Sequence, residues 1–210
     1  MNNSVRNTAR LIGAGLRALL VLTVVCGVIY PLLVTGIAQA AFSGKANGSE
    51  VKQGDKVVGS ELYGQTYDLA KKDKAGLPLP DPKWFQPRPS AAGFDDKLGI
   101  VISGASNLSA DDKDLLKAVR ERRAQVAKFN EVTPAKVPVD AVTASASGID
   151  PDISPAYARL QAARVAEANG LDKGLVAKLV SQHTEGRLAG FMGEPRVNVL
   201  RLNAALGELK

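Results

Sequence analysis

Apolar residues occur along this chain in two regimes. From Ala18 to Ala41 they run almost without interruption, as ALLVLTVVCGVIYPLLVTGIAQAA. This run has no charged residue, and Gln39 is its one strongly polar side chain. At 1.5 Å rise per residue, a helix of this length reaches about 36 Å, enough to cross a roughly 30 Å hydrocarbon core with some tilt. Beyond Phe42 the apolar positions fall into short or periodic groups, the pattern of a soluble domain.

That pattern predicts the following elements. Residues 42–56 read as a polar exit linker. Val57 to Leu62 has the β-branched content of a strand, closed by Gly64. Asp68 to Lys83 reads as a loop, because Gly76, Pro78, Pro80 and Pro82 forbid a continuous helix. Leu98 to Ser103 predicts a buried strand. A turn at 104–107 then leads into a helix. Ser109 and Asp112 approximate a capping box for it, and Leu115, Leu116, Val119, Val126 and Phe129 form an apolar stripe. The basic run Arg120, Arg122, Arg123 and Lys128 is most simply the solvated face of that helix.

Pro134 and Pro138 separate this helix from Val142 to Pro151, read as a strand followed by a glycine turn. Ser154-Pro155 is a helix start and Asn169-Gly170 a stop. Asp172 caps a further helix carrying Leu175, Val176, Leu179 and Val180, and Asn198 caps a last one ending near Leu206. Strands and helices interleave without βαβ repetition, and there is no internal repeat. The fold class expected is α+β: one N-terminal transmembrane helix followed by one exported domain.

Charge divides the chain further. Arg6, Arg10 and Arg17 precede the apolar run with no acid among them, whereas the 24 basic and 21 acidic residues after it nearly cancel. So mixed a soluble part carries no nucleic-acid footprint. The excess of arginine before the span places the N-terminus in the cytoplasm and exports the rest. The organisation expected is a basic leader at 1–17, a transmembrane helix at 18–41 and an exported, periplasmic or extracytoplasmic, domain at 42–210. A cleaved signal peptide ending at Ala38-Gln39-Ala40 is the competing reading, but the uncharged run far exceeds a 7–15-residue signal core. Cys26, the only cysteine, lies inside the span, so the domain can form no internal disulfide. It reads as a small hydrophobe in a membrane helix.

No P-loop, dinucleotide fingerprint or nucleophile elbow occurs, and metal-ligand spacing is absent. His183 is the only histidine and is explained by a helix C-terminus. A hydrolase built from His183, Ser106 or Ser145, and Asp150 can be drawn, but no spacing demands it. Trp84-Phe85-Gln86-Pro87-Arg88-Pro89-Ser90 is held extended by its prolines. It reads either as a partner-facing loop or as aromatics packed on the core, with Arg88 in solvent or in an ion pair.

Several blocks are collinear with one family. They are Tyr30 to Gln39, Gly59 to Gln65, Trp84 to Ala91, Ser103-Gly104-Ala105-Ser106-Asn107-Leu108, Val142 to Pro151 with Ile153-Ser154-Pro155, and Gly190 to Leu200. In order and spacing the chain resembles the C-subunit family of the Kdp potassium-transporting ATPase, nearly end to end. The resemblance implies a bacterial inner-membrane complex with a channel-like potassium-binding subunit, a P-type ATPase subunit and a small stabilising subunit, in contact with membrane lipid. It implies an accessory role in assembly, as a catalytic chaperone that raises the ATPase subunit's affinity for ATP. Potassium is then the transported ion, and ATP is reached through the ATPase subunit. The P-type Asp-Lys-Thr-Gly-Thr signature is absent, so the chain is expected not to be an enzyme.

On this resemblance the nucleotide-binding candidates are Ser145, Ser147 and Gly148. The partner-interface candidates are Tyr30, Pro31 and Gly36 in the span and Arg88, Ser103, Gly104, Ser106 and Asn107 in the domain, ahead of Glu194 and Arg196. The sequence departs from the family pattern at Ala105, at Ser109-Ala110-Asp111, at Ala146 and at Asp152. Added β-carbons at 105 and 146 narrow any backbone approach to a phosphate. Exported residues cannot meet cytoplasmic ATP: either the effect travels through the complex, or the topology is inverted and the domain is a cytoplasmic nucleotide-binding module. The arginine bias favours the former. An exported soluble binding protein or hydrolase with a cleaved signal peptide is the alternative function.

Overall fold

The computed structural model describes residues 2–72, 76, 78–90, 93–95 and 100–209. The chain divides into two units, Met1–Ser49 and Glu50–Lys210. It mixes helix and sheet, as expected, and each unit has its own logic.

The first unit is helical. Helix α1 (Asn2–Val24) passes through a π-turn at Val25–Ile29 into α2 (Tyr30–Ala46). The wide turn has an identifiable cause. Pro31 has no N–H to give, and its ring would strike the carbonyl of residue 27, four positions back. The helix widens there, and the Tyr30 N–H donates to the Val25 carbonyl, five residues back. A second break falls at Phe42 (φ −140°, ψ 40°). Gln39 and Asn47 bridge it with reciprocal amide bonds of 3.0 and 3.3 Å. Residues Ser4–Ala46 are long and apolar enough to cross a membrane, and none of the apolar window is buried. The helix runs past Ala41 to Ala46, so the first third of the expected linker is helical, and β1 takes up part of the rest.

The second unit holds four antiparallel sheets among the described residues. β1 (Glu50–Gln53) pairs with β2 (Lys56–Ser60). β3 (Asp68–Lys72) meets β4 (Pro78–Pro80) at only two rungs, Asp68 with Pro80 and Lys72 with Pro78. That stretch reads as loop in sequence because its prolines cannot donate to a ladder; an edge pairing this short tolerates them. β5 (Gly93–Asp95) pairs with β6 (Ile100–Ile102). Leu98 and Gly99, the start of the strand predicted there, lie outside the described residues.

Helix α3 (Lys113–Phe129) is capped by Asp112, whose carboxylate accepts the Asp114 and Leu115 N–H groups. Ser109 does not cap it; its hydroxyl bonds Asp111 at 2.6 Å and holds that exposed carboxyl below its ordinary pKa. Residues 142–151 form no strand. The serine hydroxyls there satisfy nearby N–H groups and compete with any ladder.

Then come β7 (Asp152–Ile153), α4 (Pro155–Asn169), α5 (Lys173–Gln182), β8 (Thr184–Glu185), β9 (Arg196–Asn198) and α6 (Val199–Gly207). β9 is central, between β7 and β8. The caps fall where the sequence puts them: Ser154, Asp172 and Asn198 each accept an N–H of the first helical turn. Gly170, at φ 66°, ends α4.

The core joins α4, α5 and α6 through Tyr157, Val165, Val176, Val180, Leu202 and Leu206. Into it runs the extended Trp84–Gln86 segment, with Phe85 fully buried. Among the described residues no strand pairs with that segment; side-chain amides do. Asn203 on α6 accepts from the Phe85 N–H and donates to its carbonyl, both at 2.9 Å. Gln161 on α4 does the same for Gln86, at 2.8 and 3.0 Å. Two buried carboxamides thus replace two neighbouring strands. Arg164 sits beside them. It donates to Asn130 at 2.9 Å, Trp84 O at 3.1 Å and Gln161 at 2.8 Å, and stacks 4.3 Å over Phe129. Burial pushes its pKa down to about 10.

Candidate functional site

Most of the domain's candidate residues converge on one loop cluster around residues 143–150. The turn builds itself. The Ser145 hydroxyl accepts the Gly148 N–H at 2.9 Å and lies 3.0 Å from the Ser147 hydroxyl. Ser147 Oγ accepts the Ile149 N–H at 3.3 Å. Gly148 takes φ 70°, a left-handed conformation that glycine adopts at no steric cost. Ser145 and Gly148 are buried, while Ala146 and Ser147 are exposed.

Two other segments are fastened to this turn. Arg88 donates to Asp150 at 2.9 Å and to the Thr143 carbonyl at 3.4 and 3.3 Å, so its guanidinium braces both ends. Of the two readings for Trp84 to Ser90, the geometry is that of core packing with Arg88 in an ion pair. The Ser103 hydroxyl and the Gly104 N–H both donate to the Ser147 carbonyl, at 2.7 and 2.9 Å. Ser90 bonds the Gly148 carbonyl. From the other side Gly64 donates to Ile149 O at 2.8 Å, so closely that a β-carbon at 64 would stand 2.5 Å from the Asp150 carbonyl oxygen.

The structure thus brings Arg88, Ser103 and Gly104 together with Ser145, Ser147 and Gly148. Ser106 and Asn107 lie on the exposed continuation of the Ser103 turn, with Asn107 at φ 53°. Tyr30, Pro31 and Gly36 lie on the helical unit: Tyr30 is exposed, Pro31 opens α2, and Gly36 has open space around it.

The hydrolase arrangement finds no support in these bonds. His183 caps α5, with Nδ1 3.0 Å from Leu179 O. Asp150 serves Arg88 and the Asp152 N–H, and Ser145 serves its own turn. No hydrogen bond among the described residues joins the three. Groups of carboxylates, histidine or cysteine able to hold a metal are likewise absent among the described residues.

A second polar cluster lines a shallow groove of about 290 Å³. Arg196 bonds Asp152 at 3.2 Å and Glu185 at 3.0 Å. Arg201 joins Glu185 at 3.5 Å and also pairs with Glu61. Burial raises the pKa of Asp152, Arg196 opposes that, and Asp150 and Glu185 add to it.

Comparison with known proteins decides the family. The family model described as "KdpC: K+-transporting ATPase, c chain" matches residues 12–208. The chain belongs to the KdpC family. The match begins inside α1 and ends after α6, so it covers most of both units. The potassium-transporting ATPase KdpC subunit of Streptomyces avermitilis is 56% identical over all of this chain and 98% of its own length. That of Streptomyces coelicolor is 55% identical over all of this chain and 97% of its own. That of Kineococcus radiotolerans is 47% identical over 98% and 97%.

Sequence reasoning missed the carboxamide pair and Arg164. A signal existed: Gln161 stands on the stripe Ala158, Ala162, Val165, and Asn203 on the stripe Val199, Leu202, Leu206. A polar residue at a core position in a helix implies a buried backbone group to satisfy.

Proposed function

We propose that the chain is a non-catalytic, membrane-anchored accessory subunit of a bacterial potassium-transporting P-type ATPase. The observation that carries this is collinearity with KdpC subunits over the whole length, span included. Arg6, Arg10 and Arg17 keep the N-terminus cytoplasmic, and the domain stands on the periplasmic side of the inner membrane. Tyr30, Pro31 and Gly36 meet the channel-like potassium-binding subunit within the bilayer. The exposed turn at Ser103, Gly104, Ser106 and Asn107 meets it outside, with Arg88 as the positioning residue beneath. The ATPase subunit and the small stabilising subunit complete the assembly.

The raised ATP affinity of the ATPase subunit is transmitted through this assembly. Ser145, Ser147 and Gly148 hold the docking turn, because their hydrogen-bonding groups are already engaged there. Co-expression with the other subunits and mild-detergent purification test the reading. The chain is expected to co-purify, and its omission to raise the apparent KM for ATP. A chain that purifies alone, or an unchanged KM, overturns it. Saturable ATP binding to the chain by calorimetry would overturn the indirect route, and a mature protein beginning at Ala41 would overturn the anchor.

A further inference from the structure

The loop between β8 and β9, residues 186–195, is a small hairpin of its own. Leu188 N–H donates to Met192 O at 2.8 Å, and Met192 N–H to Leu188 O at 3.0 Å. Closing so tight a turn requires left-handed backbone at Ala189 (φ 52°) and Gly190 (φ 83°), with Gly193 (φ 77°) just beyond. At Ala189 that conformation is unfavourable for a residue with a β-carbon. The strained turn presents apolar side chains to solvent: Leu188 is 70%, Phe191 73% and Met192 48% exposed.

Beneath the tip the charges cancel in pairs. Arg187 bonds Glu194 at 3.2 Å, and at the base Arg196 bonds Glu185 and Asp152. The result is a braced stem with an uncharged apolar end.

We propose that this hairpin is a membrane-interface anchor, with Leu188, Phe191 and Met192 entering the apolar edge of the lipid headgroup layer. The proposal rests on the membrane-span reading above. Three observations favour lipid over a protein partner. The tip offers on the order of 400 Å² of apolar surface, about half of what one side of a stable protein interface contributes. It carries no unpaired charge with which to select a partner. Only residues 47–49 separate the end of α2 from β1, so the domain is tethered roughly 10 Å of chain from the helix end. Tethering of that kind makes a weak insertion effective.

The test uses the assembled complex in lipid nanodiscs and spin-label accessibility to oxygen and to a water-soluble nickel chelate. Labels sit at Phe191→Cys and, separately, Leu188→Cys, in a Cys26→Ala background. The native Cys26 is the lipid reference, and Lys117→Cys on exposed α3 the aqueous one. The expected result is an oxygen-to-nickel ratio at 191 and 188 shifted from the Lys117 value toward that of Cys26. A ratio equal to that at Lys117, with Cys26 still lipid-like, overturns the hairpin proposal and leaves the span intact. Shielding from both reagents assigns the tip to a protein partner and overturns it too. Water-like behaviour at Cys26 itself overturns the span reading, and the proposal with it.

Discussion

Replacing Asn203 by leucine isolates what the buried carboxamide contributes. The two side chains branch identically at Cγ, so volume is conserved and the bonds to Phe85 are removed. Asn203 is 2% exposed and Phe85 fully buried, so water cannot substitute. The Phe85 N–H and C=O are each left unpaired, at about 1–3 kcal/mol apiece. Burying a leucine where an amide stood returns about 1–2 kcal/mol. The midpoints of these ranges leave a loss of about 2.5 kcal/mol, or about 5–10 °C in Tm for a domain of this size. Unfolding of the full chain in detergent, followed by the fluorescence of Trp84 next to the lesion, measures the loss. Amide exchange at Phe85 should accelerate in parallel. A change below about 0.5 kcal/mol with unaltered Phe85 protection would refute the idea that side-chain amides do the work of a missing strand.

The other expectations concern separate parts of the domain. Gly64→Ala should cost about 1–3 kcal/mol and loosen the 143–150 turn, because the new β-carbon meets backbone at Asp150; Gly207→Ala, which meets only the flexible end of Gln53, should be much milder, and denaturant midpoints compare the two. Arg164→Lys should destabilise by about 2–4 kcal/mol, since one ammonium cannot reach Asn130, Gln161 and the 82–84 carbonyls together; an unchanged Tm would refute it. For Asp152, whose folded pKa is raised above its ordinary 3.8, the folded state holds the proton more tightly. Its contribution therefore favours folding at low pH and fades as pH rises from 3.8 through the folded value. Asp152→Asn should flatten that part of the stability–pH curve, and a curve as steep as the parent's would count against the assignment.

Much of this architecture is legible from residue order, and the exceptions share a cause. Caps at Ser154, Asp172 and Asn198 and the stop at Gly170 act within one turn of chain, so local chemistry suffices to place them. The β3–β4 pair is hidden by its prolines, β7 depends on a partner distant in sequence, Asp152 pairing with Asn198, and strands as short as β5, β8 and β9 carry no periodicity to read. The 142–151 segment misleads because Val142 and Thr143 suggest a strand, whereas Ser145 and Ser147 spend their hydroxyls on local turns. At the candidate site the residues themselves were legible through family resemblance. Their joining into one cluster was not, since Arg88 reaches Asp150 across 62 positions.

The π-turn ahead of Pro31 changes which faces the long apolar helix presents along its length. Five-residue spacing inserts on the order of one extra residue into the helical count, which turns everything beyond it by about 100°. On a uniform helical wheel Gly13 and Gly36 stand about 140° apart; the extra residue brings them to within about 40° of each other, while Gly15 stays on the side opposite Gly13. Proline-driven widening thus offsets the faces that this long apolar helix presents before Val25 from those it presents after Ile29.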